Sequence, residues 1–298
     1  MEKLTTASGS ILPLVGLGTF PFQGREMADM IKRAVKVGYR LFDTADDYRG
    51  ESGIGIAVKE LLESGVCKRE DLFLQSKISE NAAHSDEPLA GVFFSKYSRF
   101  MKRHSVEDIV MEKVDNSLRE MKTDYIDSLL IHLPYPGYYE DIWSAMIKIK
   151  QQGKVRYIGV SNFHPRHIEV ISKLGERPSI NEIYLSPIGT KQEQVDYHKQ
   201  KGILLMTYSP LMDLANKRIP REVLKPMMEK YKKSEAQIIL RWNIERNCIP
   251  LPKTRNTKRL EENFNIFDFS LTPEEVHIIS SLNYDYQYIP ESTICPGY

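Results

Sequence analysis

The sequence predicts a (β/α)8 barrel of the α/β class, formed as a single domain by residues 1–298, and three observations lead to this prediction. Apolar segments of strand length occur eight times, and segments with helical periodicity lie between them. The strand segments are apolar almost throughout, which is typical of parallel strands covered by helices. Eight evenly spaced units are the number that closes a barrel, although an open, doubly wound sheet is compatible with the periodicity alone.

The predicted elements follow each other regularly along the chain. Residues 2–14 precede the first strand and predict a β-hairpin with a turn at residues 8–10. The predicted strands are 15–20, 39–45, 71–78, 126–133, 155–162, 179–186, 203–211 and 248–254. The predicted helices between them are 25–37, 52–63, 106–121, 140–151, 165–174 and 192–200. Residues 273–282 predict an extra helix near the C-terminal end.

Residues 79–105 interrupt this rhythm and predict a long insertion in one βα connection. The segment combines four aromatic and four basic side chains, namely Phe93, Phe94, Tyr97, Phe100, Lys96, Arg99, Lys102 and Arg103. Connections of this length within a compact domain are usually functional or disordered. The aromatic side chains are as compatible with capping the barrel, or covering a neighbour, as with contacting a substrate.

The composition excludes several classes of protein. Lys and Arg total 41 against 40 for Asp and Glu, so no overall charge attracts nucleic acid or a membrane surface. The three cysteines are far apart in sequence, which argues against a disulfide framework and a zinc site. Because no apolar run has the length of a signal peptide or a membrane span, we expect a cytoplasmic protein that is a monomer or a weak homo-oligomer.

Polar residues stand where the apolar strands end. Asp43, Lys77 and His132 end the second, third and fourth predicted strands, and Tyr48 follows in the loop after Asp43. Strand alternation places Lys77 on the same face as Phe73 and Gln75, and if that face points inward these polar side chains meet at the C-terminal mouth of the barrel.

This set of side chains is suited to donating a proton to a carbonyl oxygen. A free tyrosine has a pKa near ~10, which a nearby ammonium lowers by stabilising the phenolate. Lys77 can supply that charge, and Asp43 can hold Lys77 in place. His132 can orient the oxygen of a substrate through a hydrogen bond. Any one of these residues alone is typical of a loop ion pair, but four at the same end of successive elements indicate a catalytic site.

Nine segments of the chain resemble the aldo-keto reductase superfamily. They are GLGTF at 16–20, FDTADDY at 42–48, GESGIG at 50–55, LQSKI at 74–78, DSLLIH at 127–132, GKVRYIGVSNF at 153–163, NEIYLSP at 181–187, TYSPL at 207–211 and LPKTRNTKRLEENF at 251–264. The resemblance covers essentially the whole chain, with the segments in the right order. It implies that Asp43, Tyr48, Lys77 and His132 form a catalytic tetrad with Tyr48 as proton donor. It also implies direct hydride transfer between NADP(H) and a small carbonyl or alcohol substrate, without a metal.

The resemblance further implies an extended cofactor site. Ser161, Asn162 and Glu182 would contact the nicotinamide carboxamide and Tyr208 would stack on its ring, whereas Ser209, Pro210 and Leu211 would follow the pyrophosphate. Thr19 would lie near the ribose, and Gly18 and Asp43 are further cofactor contacts. Lys253, Thr254 and Arg259 match residues that hold the 2′-phosphate, and Glu262 and Asn263 match residues on the adenine.

The residues at 253–259 independently predict an anion site. Lys253, Arg255, Lys258 and Arg259 place four cations within seven residues at a strand-to-helix junction. A solvated basic helix start is the commoner outcome of such charge runs. Together with the resemblance, the cluster predicts NADP(H) rather than NAD(H).

The predicted substrate pocket is lined by Phe20, Phe22, Tyr48, His132 and Leu133. Two positions depart from the pattern of the superfamily, because Leu133 stands where many members carry tryptophan and Glu182 stands where glutamine is usual. A carboxylate accepts an amide hydrogen but cannot donate one. We therefore hypothesise that Glu182 shifts the cofactor preference towards NADP+ or carries a raised pKa.

Two other functions are compatible with parts of the sequence. A cofactor-binding, redox-sensing regulatory subunit would share the fold and could retain the tetrad. An isomerase or lyase would need a metal cluster or a nucleophilic lysine, and Asp43 is expected to keep Lys77 charged. Gly53 and Gly55 resemble part of a dinucleotide-binding fingerprint, but they lie within a predicted helix and indicate close packing instead.

Overall fold

The computed structural model describes residues 3–5, 11–79, 105–135 and 137–290. Strands β1 (Lys3–Thr5) and β2 (Ile11–Pro13) pair in antiparallel register, which confirms the predicted N-terminal hairpin. The predicted turn at residues 8–10 lies outside the described residues, as does most of the predicted insertion at 79–105.

The eight following strands form one parallel sheet in sequence order, and the predicted barrel is confirmed. These strands are β3 (Gly16–Gly18), β4 (Leu41–Asp43), β5 (Phe73–Ile78), β6 (Ile126–Ile131), β7 (Val155–Ser161), β8 (Ile180–Tyr184), β9 (Leu204–Tyr208) and β10 (Cys248–Leu251). The first and last of them meet, since the Gly18 amide donates to the Pro252 carbonyl at 3.1 Å. Gly16 allows this close approach, because a Cβ there would lie 1.9 Å from Leu41 Cδ2 and 2.5 Å from Leu251 Cδ2.

Helices cover the outside of the sheet. They are α1 (Gly24–Val37), α2 (Glu51–Glu63), α3 (Val106–Met121), α4 (Tyr139–Gln151), α5 (Pro165–Ile171), α6 (Gln192–Lys201), α7 (Met212–Ala215), α8 (Arg221–Tyr231), α9 (Glu235–Glu245), α10 (Thr257–Phe264) and α11 (Pro273–Ser280). The six predicted helices between strands and the extra C-terminal helix are confirmed. Helices α7, α8 and α9 were not predicted. No helix in the described ranges has both the length and the apolar character that crossing a membrane requires.

Local sequence signals explain where these helices begin and how they pack. Ser105 caps α3 by accepting the Asp108 amide at 3.1 Å, and the Ser105 amide donates to the Asp108 carboxylate at 3.2 Å. Close packing explains the two glycines of α2, as predicted. A Cβ at Gly55 would lie 2.0 Å from the Glu120 carbonyl oxygen, so helix α2 can approach α3 only with glycine at that position.

The interior of the barrel is divided into an apolar part and a polar part. The apolar part consists of Leu41, Phe73, Leu130, Ile180, Leu204, Met206, Ile249 and Leu251. Leu41, Phe73 and Leu130 are inward-facing, as the strand alternation predicts. Two residues further along β4 and β5 the inward positions become polar, with buried Asp43 and Gln75 paired in register. The polar part therefore lies at the carboxyl ends of the strands.

Candidate active site

Lys77 is the buried cation at the base of the site. Its side chain is 1% exposed and its ammonium donates to Asp43 Oδ1 at 2.5 Å. It also lies 3.3 Å from Glu182 Oε1 and donates to the Thr44 carbonyl at 3.1 Å. Burial alone would lower the pKa of Lys77, but the two carboxylates raise it above its usual value. Lys77 is therefore held charged, as predicted for its pairing with Asp43.

Gln75 joins the two carboxylates from the same strand as Lys77. Its amide nitrogen donates to Asp43 Oδ1 at 2.9 Å and to Glu182 Oε2 at 2.8 Å. No role was predicted for Gln75, although its inward position two residues before Lys77 was recognised. The feature that identifies Gln75 is its amide among the charged groups of Asp43, Lys77 and Glu182, which is visible only in the folded barrel.

Tyr48 lies above this base, in a short 3₁₀ turn (Asp46–Tyr48) after β4. Its hydroxyl is 3.4 Å from His132 Nε2, and the Lys77 ammonium lies 5.3 Å from the centroid of its ring. The structure thus brings all four residues of the predicted tetrad together. Phe20 is 54% exposed and its ring centroid is 5.0 Å from that of Tyr48, so Phe20 borders the same opening.

The pKa of Tyr48 does not shift in the predicted direction. Burial raises the pKa of this phenol, Lys77 lowers it, and the charges of Asp43 and Glu182 raise it again. The net shift is upwards, because burial of the phenol outweighs the effect of the Lys77 charge, which the two carboxylates also offset. Tyr48 is therefore a phenol held in its protonated form.

His132 is kept neutral and is fixed through its second ring nitrogen. Burial and the nearby Lys77 charge lower the pKa of His132 to about 4. Ser79 Oγ lies 2.7 Å from His132 Nδ1, and the Ser79 backbone is held in turn by the Asp46 carboxylate and the Lys113 ammonium. Lys113 also donates to Asp46 Oδ2 at 2.5 Å, so the two residues that hold the Ser79 backbone are bonded to each other. These residues could not be identified from the sequence, because Ser79 follows a strand end and Lys113 lies on α3.

A second group of predicted residues lies at the ends of β7 and β9. Asn162 accepts the Tyr208 hydroxyl at 2.9 Å through Oδ1 and donates to the His132 carbonyl at 3.2 Å and to Ser161 Oγ at 3.1 Å. Ser161 Oγ donates to the Glu182 carbonyl at 3.0 Å. These hydrogen bonds connect the predicted carboxamide contacts directly to the tetrad.

The predicted pyrophosphate and ribose residues lie on either side of the opening. Ser209, Pro210 and Leu211 form the turn between β9 and α7, where Ser209 accepts the Met212 amide at 3.0 Å. Thr19 is buried and donates to the Asp43 carbonyl at 2.7 Å. Gly18 lies beside it at the end of β3, with its amide already bound to Pro252.

The predicted anion site lies where β10 leads into α10. Asn256 caps this helix by accepting the Lys258 and Arg259 amides at 2.9 and 3.2 Å. Arg255 pairs with Glu26 at 2.9 Å, whereas Lys253 and Arg259 form no ion pair with the described residues. The Lys253 ammonium is 6.0 Å from the centroid of the Phe20 ring, so the cluster reaches the edge of the tetrad opening.

The remaining predicted site residues differ in their surroundings. Thr254 and Asn263 are buried, and Glu262 accepts a hydrogen bond from Ser234. Phe22 is 1% exposed and lies in the apolar core beneath the Arg255 guanidinium, so it does not border the opening as Phe20 does. Leu133 follows His132 directly and is partly exposed.

No metal site is formed in the part of the chain that the structure describes, where no three His, Cys, Asp or Glu side chains are grouped as ligands. Cys67 and Cys248 are buried and free, and Cys295 lies outside the described residues. The fold and the site together define a (β/α)8-barrel protein with a phenol, an imidazole and a buried ammonium grouped at its C-terminal mouth.

Known proteins are similar to this chain in fold and sequence. The profile described as Aldo/keto reductase family matches residues 14–284. A glyoxal reductase of Bacillus subtilis is 38% identical over 280 residues, which cover 93% of this chain and 91% of the relative. A methylglyoxal reductase of Yersinia pestis is 30% identical over 278 residues, with 92% and 90% covered. The crystal structure of a Bombyx mori aldo-keto reductase in complex with NADP superposes with a TM-score of 0.83 at 31% identity, covering 98% of this chain and 95% of that one. The chain therefore belongs to the aldo/keto reductase family.

Proposed function

We propose that this chain is an NADP(H)-dependent oxidoreductase that interconverts an aldehyde or ketone and the corresponding alcohol by direct hydride transfer, with Tyr48 as proton donor. The observation that carries the proposal is the Tyr48 hydroxyl, 3.4 Å from His132 Nε2 and above the buried Lys77. A carbonyl oxygen placed between the two donors would be polarised by both.

The charges of the site support the direction of proton transfer. The raised pKa of Tyr48 keeps its proton available at neutral pH, and the neutral His132 can donate a hydrogen bond without giving up its proton. As negative charge develops on the substrate oxygen and passes to the phenol, Lys77 lies close enough to stabilise it. Lys77 therefore acts on the transition state more than on the resting phenol.

The residues present fit a dinucleotide with a 2′-phosphate. Tyr208 is partly exposed and its hydroxyl is tied to Asn162, so its ring is held as a fixed wall beside the tetrad. The exposed cations Lys253 and Arg259 would hold the phosphate at the start of α10. When bound, the nicotinamide would supply or accept the hydride.

The relatives suggest which substrates should be tested first. Proteins named glyoxal reductase and methylglyoxal reductase match this chain along nine-tenths of their length. We therefore propose small dicarbonyl compounds as one substrate class. We also propose that residues 1–298 act as one cytoplasmic domain, as a monomer or a weak homo-oligomer.

The proposed function is tested by mixing the purified protein with NADPH and following the loss of its absorbance on addition of glyoxal, methylglyoxal or a panel of larger aldehydes. We expect turnover with at least one of them. Tight NADPH binding without turnover on any carbonyl compound would contradict the proposal and favour the redox-sensing regulatory subunit instead.

Ser79→Ala is expected to lower kcat by roughly fivefold, with a smaller effect on KM, because one hydrogen bond of about 1 kcal/mol that fixes His132 is lost. With the Ser79 hydroxyl donating to Nδ1, the proton of the neutral ring stays on Nε2, which faces the substrate oxygen. Nitrogen NMR of His132 should report a change of tautomer in the variant, which a merely structural role of Ser79 would not produce.

Ser76→Ala is the matched control for Ser79→Ala. Ser76 lies on β5, three residues before Ser79, and donates to Glu51 at 2.6 Å, away from the tetrad. Ser76→Ala should leave kcat and the His132 tautomer unchanged. Ser79→Thr, which keeps a hydroxyl, should retain most of the wild-type rate. Equal losses in the two alanine variants would show that the Ser79 hydroxyl has no specific role.

A further inference from the structure

The base of the site contains more acid groups than its single cation can balance. The side chains of Asp43, Lys77 and Glu182 are 6%, 1% and 2% exposed, and the Lys77 ammonium lies 2.5 Å from one carboxylate and 3.3 Å from the other. Gln75 donates to both but carries no charge. With both acids ionised, the group would bear one uncompensated negative charge away from water, which is costly.

No second cation offsets this charge among the described residues that face Glu182. The titratable groups that interact with its charge are Asp43 and Tyr48 at the end of β4, Lys77 on β5 and Tyr208 on β9. Two of these are phenols, which are neutral near pH 7 and whose pKa values are raised by burial. Lys77 is thus the one positive group shared by two acids.

We propose that Asp43 and Glu182, the acid pair, hold a single proton between them, and that loss of this proton switches the site from accommodating the reduced nicotinamide to favouring the oxidised one. The proposal rests on the function proposed above, because it concerns the same cofactor. It makes Glu182 a specificity-determining residue for the redox state of the nucleotide.

The switch follows from the charge of the two ring forms. The reduced nicotinamide is neutral and the oxidised one is cationic, so an added negative charge near the ring stabilises the oxidised form alone. Before the proton is lost the acid pair and Lys77 sum to zero charge, and afterwards they sum to minus one. The proton leaves for solvent when the oxidised nucleotide binds.

The pH at which the switch operates is set by burial. Burial and the Asp43 carboxylate raise the pKa of Glu182 to about 8, against the opposing effect of Lys77. Near pH 7 the carboxyl is mostly protonated, so Glu182 does not oppose the binding of NADPH. The hypothesis that Glu182 favours NADP+ therefore applies chiefly to alkaline conditions. There the stronger binding of NADP+ would favour oxidation of the alcohol.

The nucleotide experiment measures dissociation constants of NADP+ and NADPH by fluorescence as a function of pH. In the wild-type protein the ratio of the NADP+ constant to the NADPH constant should fall about tenfold or more from about pH 6.5 to about pH 9.5. Titration of the 2′-phosphate affects both nucleotides alike and cancels in the ratio. Glu182→Gln should keep the wild-type low-pH ratio throughout.

A second measurement tests the proton without any nucleotide. Infrared difference spectra at pH 7 should show a protonated carboxyl band that Glu182→Gln removes. Asp43→Asn should remove the same band, because Glu182 and Lys77 alone are already neutral. Glu51→Gln is the matched control: burial raises the pKa of Glu51 to about 7, and its carboxyl accepts hydrogen bonds from Ser76 and Ser117 outside the site. Glu51→Gln should remove only the infrared band of the Glu51 carboxyl and leave the ratio of the NADP+ and NADPH dissociation constants unchanged.

The outcomes separate this proposal from the function on which it rests. If neither nucleotide binds, the proposed function fails, while the infrared spectra still decide whether the proton is present. The proposal is overturned if Glu182→Gln leaves the carboxyl bands unchanged, if the band persists in Asp43→Asn, or if the variant retains the pH dependence of the wild-type ratio.

Discussion

Tyr48→Phe is expected to lower the rate of carbonyl reduction by roughly 10²- to 10⁴-fold while leaving the dissociation constant of NADPH nearly unchanged. The phenol hydroxyl is the proposed proton donor, and the neighbouring His132 is neutral and held by Ser79 through its second ring nitrogen, so we expect that it cannot replace the phenol. The aromatic ring, which contacts Phe20, is retained in the variant. Single-turnover rates with saturating NADPH and fluorescence titration of the nucleotide measure the two quantities separately.

The matched control is Tyr197→Phe, which removes a tyrosine hydroxyl that donates to Glu169 at 2.7 Å on the outside of the barrel. It should retain the full rate. Equal losses of NADPH affinity and rate in Tyr48→Phe would contradict the role of proton donor, because the hydroxyl would then contribute to ground-state binding as well.

Most of the barrel could be predicted because its strands and helices have different periods. Each of the eight predicted strands contains an observed strand, and the apolar stripe of α1 is buried as expected. Helices α8 and α9 were missed for different reasons. Pro226 lies inside α8 and suggests a helix break. The capping box of Ser234 and Gln237 was a usable signal for α9.

Three residues of the predicted tetrad, Asp43, Lys77 and His132, could be placed together because they lie at or directly after strand ends, whereas Tyr48 lies in the turn after β4. Asp43 and Lys77 are on inward-facing positions near the carboxyl ends of neighbouring strands, so a parallel barrel must bring them together. Ser79 could not be predicted, because its contact with His132 depends on how the chain turns after β5. Nothing in the sequence of 15–22 distinguishes exposed Phe20 from buried Phe22.

The direction in which the pKa of Tyr48 shifts cannot be predicted from residue types alone. The presence of Lys77 predicts a lowered pKa for Tyr48, but burial of the phenol raises this pKa, and two carboxylates share the ammonium that would lower it. Glu182 is 134 residues beyond Tyr48 in sequence, and only the closed barrel places it 3.3 Å from the Lys77 nitrogen. Charge balance in a buried site therefore needs the three-dimensional arrangement.

The double variant Lys253→Ala, Arg259→Ala is expected to weaken NADPH binding by about 100-fold or more, since a charge-assisted hydrogen bond contributes about 1.5–3 kcal/mol and two would be lost. NADH binding should change little, because NADH lacks the 2′-phosphate that these cations would hold. Titration of both nucleotides at one fixed salt concentration measures the change in preference.

Arg221→Ala, Lys225→Ala is the control, because it removes the same two charges from the exposed surface of α8. If this control weakened NADPH binding as much, long-range attraction by the net charge would explain the effect. If the preference for NADPH over NADH were unchanged in Lys253→Ala, Arg259→Ala, the phosphate would have to bind elsewhere. Arg255 would not be sufficient, because it is already paired with Glu26. We therefore expect the preference to depend on cations that are not already paired with a described residue, and not on the number of basic residues in the segment.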